Sequence, residues 1–204
     1  RHRKGIFHAS SGEWRLTTQE KKRILLNNIY GVDIDSQAVE VTKLSLLLKL
    51  LEGENQESLQ EMLYGRVRVL PDLGQNIKCG NSLIGPDYFA GQLMPDDEEM
   101  RRVNPFDWKA EFPEIMKAGG FDAVVGNPPY GATLSEGETT YLLAHYSLQD
   151  YQLDTYILFL EKALALLKRS AWVGMIMPNT WLLNLQSMKL PPFLGQVVKP
   201  RLLW

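Results

Sequence analysis

The sequence predicts an α/β protein built on a doubly wound, mostly parallel sheet. Short apolar runs typical of buried strands alternate along the 204-residue chain with longer segments of helical periodicity. Three of the predicted strands are followed by a polar residue that can bind a ligand: Asp33, Asn81 and Asn127. Open α/β sheets bind their ligands at the carboxyl ends of the strands, so these three side chains are expected to line one crevice.

The first half of the chain contains the signals for two capped helices and several short strands. Residues 1–16 show no periodicity, and Thr17-Thr18-Gln19-Glu20 resembles a capping box that begins a helix ending near residue 28. A second helix begins at Asp35 or Ser36, and one of its faces is apolar. That face consists of Val41, Leu44, Leu48 and Leu51. The other elements predicted here are strands at residues 29–32, 67–70 and 76–79 and a helix at residues 58–65.

The second half continues the alternation around one long insert. Residues 81–106 are rich in Pro, Gly and acidic side chains and are expected to form a solvated excursion. A helix at 108–118, a strand at Phe121–Gly126, a helix at 154–167 and a strand at 172–177 follow. The segment 131–150 has weak periodicity, and we expect it to be a mobile loop that orders over a substrate.

The composition fits a cytoplasmic enzyme. The 45% hydrophobic content is enough for one sizeable core, and no run of about twenty apolar residues predicts a membrane span. The single cysteine, Cys79, suits a reducing compartment and is expected to be a small packed residue. No His or Cys cluster has metal-ligand spacing, so no metal site is predicted. The net charge of −2 is weak support for a free-standing DNA-binding module.

Asn127-Pro128-Pro129-Tyr130, at the end of the strand Phe121–Gly126, is the most informative motif. Each proline has a fixed φ and no N–H, so the turn is rigid and its carbonyls are not drawn into a helix. The Asn127 oxygen and the Pro128 carbonyl can each accept one hydrogen of a ring-bound amine while Tyr130 stacks on the ring. Two such acceptors favour the pyramidal amine, whose lone pair then points at an electrophile, and they act where charge develops in the transition state.

The run from Phe121 to Tyr130 resembles the catalytic motif of S-adenosylmethionine-dependent amino-methyltransferases. It is most similar to the adenine-N6 DNA methyltransferases of restriction–modification systems, especially single-chain type II enzymes that join methylase and endonuclease. Other stretches resemble that family in the same order, at residues 29–35, 79–83, 155–164 and 173–181. The resemblance covers about residues 20–185 and implies a Rossmann-like methyltransferase sheet in a cytoplasmic, prokaryotic enzyme.

The resemblance also implies a role for each matching residue. Asn127, Pro128, Pro129 and Tyr130 would form the catalytic turn around a flipped adenine. Asp33 would bind the ribose of S-adenosylmethionine, and Ile34 would contact the adenine of that cofactor. Asn81, where the family usually has Asp, would approach the adenine amine, with Ser82 next in the same cofactor-binding motif. The implied partners are double-stranded DNA, held by a recognition domain outside this sequence, and a fused endonuclease domain.

Two features of that family have no counterpart in this sequence. They are the Gly-rich loop that wraps the methionine part of the cofactor and the second aromatic wall for the flipped base. We therefore expect an incomplete sheet and an internal piece of a larger methylase, with residues 17–185 as a partial catalytic domain. Residues 1–16 would be a leading segment, 81–106 an acidic excursion and 186–204 a C-terminal tail. This chain by itself is not expected to bind S-adenosylmethionine productively.

Two other functions stay open at this point. The same turn serves methylation of a glutamine side chain in protein, or of a base amine in RNA. The missing Gly-rich loop also fits a non-catalytic remnant of the fold. The long insert between the third predicted strand and Asn127 favours the restriction–modification class over the other methyltransferases.

Overall fold

The computed structural model describes residues 5–8, 12–53, 70–94, 96–148 and 153–178, with the single positions 189 and 192. The chain divides into two compact units, Arg1–Gly80 and Asn81–Trp204. The predicted helix at 58–65, most of the predicted strand at 67–70, and the expected tail apart from positions 189 and 192 lie outside the described residues.

The first unit combines a hairpin, two helices and a two-stranded parallel sheet. Strand β1 pairs antiparallel with β2, with Phe7 opposite Arg15, so the leading segment has regular structure that its sequence did not indicate. Strand β3 pairs parallel with β4, with Asp33 opposite Cys79. The elements in order are β1 (Ile6–His8), β2 (Trp14–Leu16), α1 (Thr18–Asn28), β3 (Gly31–Asp33), α2 (Ser36–Leu51) and β4 (Ile77–Cys79).

Both helix starts in this unit are confirmed. The Thr17 hydroxyl accepts a hydrogen bond from the Glu20 N–H at 3.3 Å, and the Asp35 carboxylate accepts one from the Gln37 N–H at 2.8 Å. Each cap satisfies an amide that the first helical turn cannot satisfy internally.

The buried face of α2 is not the face that its periodicity suggested. Val41, Leu44 and Leu48 are exposed, whereas Val39 and Leu50, on the opposite side of the helix, are buried. The buried cluster consists of Leu25, Val39, Leu50, Leu73 and Ile77, with Leu26, Leu46 and Leu47 packed against it. Helix α2 is apolar on both sides, so periodicity alone does not decide which side packs on α1 and β4.

A buried asparagine closes the carboxyl end of α1. The Asn76 side chain is only 3% exposed, and its amide donates to the carbonyls of Leu26 and Ile29, each at 2.9 Å. These carbonyls lie at or just beyond the last turn, where a helix has no amide of its own to offer them. Asn76 therefore joins the end of α1 to the segment that leads into β4.

We expect Asn76→Ala to lower the free energy of unfolding by about 1–3 kcal/mol, because it leaves those buried carbonyls without their donor. Asn28→Ala is the matched control, since the exposed Asn28 amide donates to the single carbonyl of Ile24 at 3.1 Å. Chemical denaturation of both variants measures the difference. Equal, small losses in the two variants would contradict this role for Asn76.

The second unit contains a parallel strand pair and the remaining helices. Strand β5 pairs parallel with β6, with Val124 opposite Val173 and Gly126 opposite Met175. The elements in order are a 3₁₀ helix (Pro86–Phe89), α3 (Asp97–Val103), α4 (Trp108–Glu111), α5 (Pro113–Lys117), β5 (Phe121–Gly126), α6 (Glu136–His145), α7 (Thr155–Leu166) and β6 (Leu167–Met175).

The single helix predicted at 108–118 is two short helices. The break falls at Phe112, whose φ of −128° and ψ of 57° are not helical. Pro113 follows directly, and a proline restricts the residue before it and has no N–H to continue the helix.

The acidic excursion is partly a core element. Leu83, Ile84 and Val103 from this segment are buried together with Leu142 and Leu158. The acids are concentrated in the first turn of α3, and Arg101 and Arg102 are in its last turn. That order suits the helix dipole, and the acids at the start of α3 are solvated as expected, while other residues of the segment are buried.

The segment expected to be a mobile lid contains the packed helix α6. A reciprocal capping box joins Ser135 and Glu138, and Leu142 is fully buried. Burial raises the pKa of Glu138, but hydrogen bonds from Arg102 and Ser135 outweigh burial and hold that pKa below its ordinary value. The expectation of a loop is therefore wrong for Glu136–His145, which form a helix, whereas ordering of the segment over a substrate stays a prediction.

The α/β prediction is confirmed in its coarse form. The pairs β3–β4 and β5–β6 are both parallel, and each is connected through helical segments. The described residues form two separate two-stranded parallel sheets, and a single continuous sheet is not seen among them. No helix in the described part of the chain is both long and apolar enough to cross a membrane.

Candidate functional site

The predicted catalytic turn directly follows β5. The Gly126 carbonyl accepts a hydrogen bond from the Ile176 N–H at 3.0 Å, which extends the pairing with β6 to the start of the turn. A Cβ at Gly126 would lie 2.9 Å from the Met175 sulfur, so glycine permits the two strands to approach here. Asn127 and Pro129 are exposed, while Pro128 between them is buried. The strand thus presents the Asn127 side chain at its carboxyl end.

Two hydrogen-bond acceptors of the turn are available to a ligand. Within the described part of the chain, neither the Asn127 side chain nor the Pro128 carbonyl has a hydrogen-bond partner. The next carbonyl, of Pro129, accepts a hydrogen bond from the Thr155 hydroxyl at 2.6 Å. The open pair is therefore the pair that the sequence indicated as acceptors for an amine.

Tyr130 is oriented by contacts at its rim. Its hydroxyl donates to the Ile176 carbonyl at 3.1 Å, and its ring meets the Tyr156 ring edge-on, with centroids 6.4 Å apart at 75°. The residue is nevertheless 54% exposed. More than half of the residue is thus accessible to solvent, as stacking on a planar group requires.

The first unit presents Asp33 and Ile34 at the end of β3. One oxygen of Asp33, Oδ1, accepts the Asp35 N–H at 2.8 Å and so shapes the turn into α2. The second oxygen has no partner among the residues that the structure describes. Ile34 is 52% exposed, and its carbonyl accepts a hydrogen bond from Cys79 at 3.4 Å. Cys79 is itself exposed, so the expectation that it is a packed residue is wrong.

Asn81 has its side-chain oxygen already in use. Oδ1 accepts hydrogen bonds from the Leu83 N–H at 3.1 Å and the Ile84 N–H at 3.3 Å, and the Asn81 N–H donates to the Asn104 carbonyl. Ser82 contributes its carbonyl to the Trp108 indole N–H at 3.1 Å. The part of the Asn81 side chain that is left for a ligand is therefore its NH2 group, which is a hydrogen-bond donor.

The two halves of the expected site fall in different units. Asp33 and Ile34 belong to the first unit, and Asn127–Tyr130 belong to the second, as do Asn81 and Ser82. Their convergence on one crevice stays a prediction. No cluster of three or more His, Cys, Asp or Glu side chains suited to a metal ion occurs among the described residues.

The sequence did not point to the residues that hold the turn. The Thr155 hydroxyl donates to the Pro129 carbonyl, and the Ile176 carbonyl accepts a hydrogen bond from the Tyr130 hydroxyl. Contacts to backbone carbonyls leave no residue pattern in a sequence, and the sequence marks Thr155 only as part of a predicted helix in a stretch that resembles the family.

Comparison with known proteins places the chain in a family. The model of the family described as "Eco57I restriction-modification methylase" matches residues 27–197. The chain is 34% identical over 192 residues to the Escherichia coli type II restriction enzyme and methyltransferase RM.Eco57I, covering 92% of this chain and 18% of that protein. It is 25% identical to the putative type II restriction enzyme and methyltransferase RM.MjaORFECS2P of Methanocaldococcus jannaschii, covering 80% of this chain and 23% of that protein.

A third relative matches a shorter part of the chain. The chain is 28% identical over 117 residues to the adenine-specific methyltransferase PglX of Streptomyces coelicolor, covering 54% of this chain and 9% of that protein. The chain thus spans less than a quarter of the length of each of these relatives. No solved structure gives a significant match. On the family match over most of its length, the chain belongs to the Eco57I restriction-modification methylase family.

Proposed function

We propose that this chain carries catalytic residues of a longer type II restriction–modification enzyme that methylates the N6 amine of adenine in DNA. The observation that carries the proposal is the turn after β5. The exposed Asn127 side chain and the carbonyl of the buried Pro128 make no hydrogen bond with the described residues, and Tyr130, two positions on, is 54% exposed. The names of the relatives support a methyltransferase, and that of the Streptomyces protein includes adenine specificity.

The turn fits the chemistry of an unreactive amine. The lone pair of adenine N6 is delocalised into the ring, so the amine is a poor nucleophile. With the base flipped out of the duplex and stacked on Tyr130, the Asn127 oxygen and the Pro128 carbonyl would accept the two amine hydrogens. Both acceptors favour the pyramidal amine and stabilise the positive charge that develops on nitrogen. No strong general base is required, because the proton can leave after the attack.

The residues of the first unit fit part of the cofactor. When bound, S-adenosylmethionine supplies an electrophilic methyl group on a sulfonium centre. The second carboxylate oxygen of Asp33 suits a ribose hydroxyl, and the exposed Ile34 side chain suits one face of the cofactor adenine. Asn81 fits less well, because its oxygen is already shared by two backbone amides.

We expect Asn81→Asp to tighten binding of S-adenosylmethionine by about tenfold. A carboxylate can keep one oxygen on the Leu83 and Ile84 amides and offer the second, charged oxygen to the adenine amine. Calorimetric titration of the full-length enzyme measures the change, and Gln92→Glu, which adds the same charge at an exposed position, controls for the altered net charge. Unchanged affinity in Asn81→Asp would remove this residue from the cofactor site.

The DNA and nuclease functions belong to the same proposal. Double-stranded DNA would be bound through a recognition domain elsewhere in the enzyme, and an endonuclease domain would be fused to it. The names of both type II relatives join a restriction enzyme and a methyltransferase in one protein.

Methyl transfer from labelled cofactor tests the proposal. The full-length enzyme is incubated with double-stranded DNA, RNA and a glutamine-containing protein in separate reactions, and the labelled product of each is identified after digestion. We expect label only in N6-methyladenine from DNA. Label found only in RNA or in glutamine would show that the substrate is RNA or protein and not DNA. The absence of label in every reaction would favour a non-catalytic remnant.

A further inference from the structure

One buried hydroxyl contacts the proposed catalytic turn from outside it. Thr155, the first residue of α7, is 2% exposed and is one of only three buried polar residues among those that the structure describes. Its hydroxyl donates to the Pro129 carbonyl at 2.6 Å, across 26 positions of sequence. A bond of this length is short for a hydroxyl donor, and its burial limits exchange with water.

The turn needs such a contact because it has few donors of its own. Pro128 and Pro129 have a fixed φ and no N–H, so the remaining backbone freedom of each residue is in ψ, which a donor on its carbonyl can restrict. The Pro129 carbonyl belongs to the peptide that leads into Tyr130. A donor on that carbonyl therefore restricts the backbone that carries the Tyr130 ring.

Because of this hydrogen bond, the two proline carbonyls of the turn differ in whether they already have a donor. The Pro129 carbonyl is occupied by Thr155, while the Pro128 carbonyl has no hydrogen-bond partner in the described part of the chain. A substrate amine at the turn can therefore donate to the Pro128 carbonyl, whereas the Pro129 carbonyl already has a donor. The second support of Tyr130 is weaker, because the bond from its hydroxyl to Ile176 is 3.1 Å long at an exposed position.

We propose that Thr155 is the positioning residue of the Asn127–Tyr130 turn. Its hydroxyl binds the Pro129 carbonyl, holds Tyr130 in its stacking orientation and leaves the Pro128 carbonyl as the acceptor for the substrate amine. This inference rests on the proposed function, since it assigns a role within the same site. Thr155 touches neither substrate nor cofactor and acts only through the turn.

The test compares Thr155→Val, which keeps the shape but removes the hydroxyl, with Thr155→Ser, which keeps the hydroxyl. Thr140→Val is the matched control, because the Thr140 hydroxyl makes a 2.9 Å bond to the Glu136 carbonyl within α6. Each variant of the full-length enzyme is assayed for single-turnover methylation, cofactor affinity and thermal stability.

We expect Thr155→Val to slow single-turnover methylation by roughly ten- to a hundredfold, since small displacements of reacting groups are that costly. Cofactor affinity should not change, and Thr155→Ser and Thr140→Val should methylate at close to the wild-type rate. If Thr155→Val fails to fold, Thr155→Ala, which also has no side-chain donor, replaces it with the same expectations.

A wild-type rate in the folded variant that lacks the hydroxyl would overturn the inference. Equal losses in Thr155→Val and Thr155→Ser would overturn it too, because they would show that packing rather than the hydroxyl matters. Failure of the proposed function looks different, since the wild-type enzyme itself would then transfer no methyl group to DNA adenine.

Discussion

Asn127→Ala should lower the single-turnover rate of DNA methylation by about a hundredfold or more, as removal of one transition-state hydrogen-bond partner does in other enzymes. The Asn127 side chain is exposed at the end of β5 and has no hydrogen-bond partner within the described residues, so its removal breaks no hydrogen bond with them. The effect should therefore appear in the chemical step and not in stability. Alanine leaves the Pro128 carbonyl as a single acceptor, which cannot hold both amine hydrogens.

The measurement follows labelled methyl groups into DNA with enzyme in excess over substrate. Asp122→Asn is a matched control, because Asp122 is an exposed residue of the same strand and its one ion-pair partner among the described residues is Lys168, at 2.9 Å. We expect the control to methylate at the wild-type rate and both variants to bind S-adenosylmethionine like the wild type. A folded Asn127→Ala enzyme with an unchanged rate would exclude Asn127 from catalysis.

The elements that the sequence predicted well are those whose signals are local. Thr17 and Asp35 each cap the helix that directly follows, and the strand Phe121–Gly126 is a continuous run ended by a rigid Pro-Pro turn. Such features depend on a few neighbouring residues, so the pattern and the structure agree. The turn at Asn127–Tyr130 was predicted for the same reason.

Helix α6 was missed although a local signal for it exists. Ser135 and Glu138 have the spacing of a capping box, and the structure shows both of its hydrogen bonds. Gly131 and Gly137 and the polar residues between them suggested a loop, but the burial of Leu142 and Tyr146 stabilises the helix. Tertiary packing here outweighs a composition that is weakly helical.

Other features depend on partners that are distant in the chain. The side of α2 that packs, the burial of Val103 within an acidic segment and the contact of Thr155 with Pro129 are each decided by a remote element. The engagement of the Asn81 oxygen is different, because its partners are only two and three residues away. The family resemblance suggested that Asn81 binds a ligand, but in the structure its side-chain oxygen accepts hydrogen bonds within a local turn.

Tyr130→Ala should weaken productive capture of the flipped base by about 1–3 kcal/mol, the range for loss of one stacked ring. That range corresponds to a loss of roughly five- to 150-fold in kcat/KM for DNA. The ring is 54% exposed, so little of this loss should come from destabilised packing. Thermal denaturation checks that point, and steady-state methylation at varied DNA concentration measures the effect.

Tyr130→Phe separates the two uses of this side chain. Phenylalanine keeps the ring for stacking and removes only the 3.1 Å hydrogen bond to the Ile176 carbonyl, which lies at an exposed position where water can replace the hydroxyl. If stacking is the main role, Tyr130→Phe should retain nearly wild-type kcat/KM while Tyr130→Ala does not. A loss in Tyr130→Phe as large as that in Tyr130→Ala would show instead that the hydroxyl link to β6 determines the ring position. Because Thr155 holds the backbone end of the same residue, that second outcome should make Thr155→Val and Tyr130→Phe non-additive in the double variant.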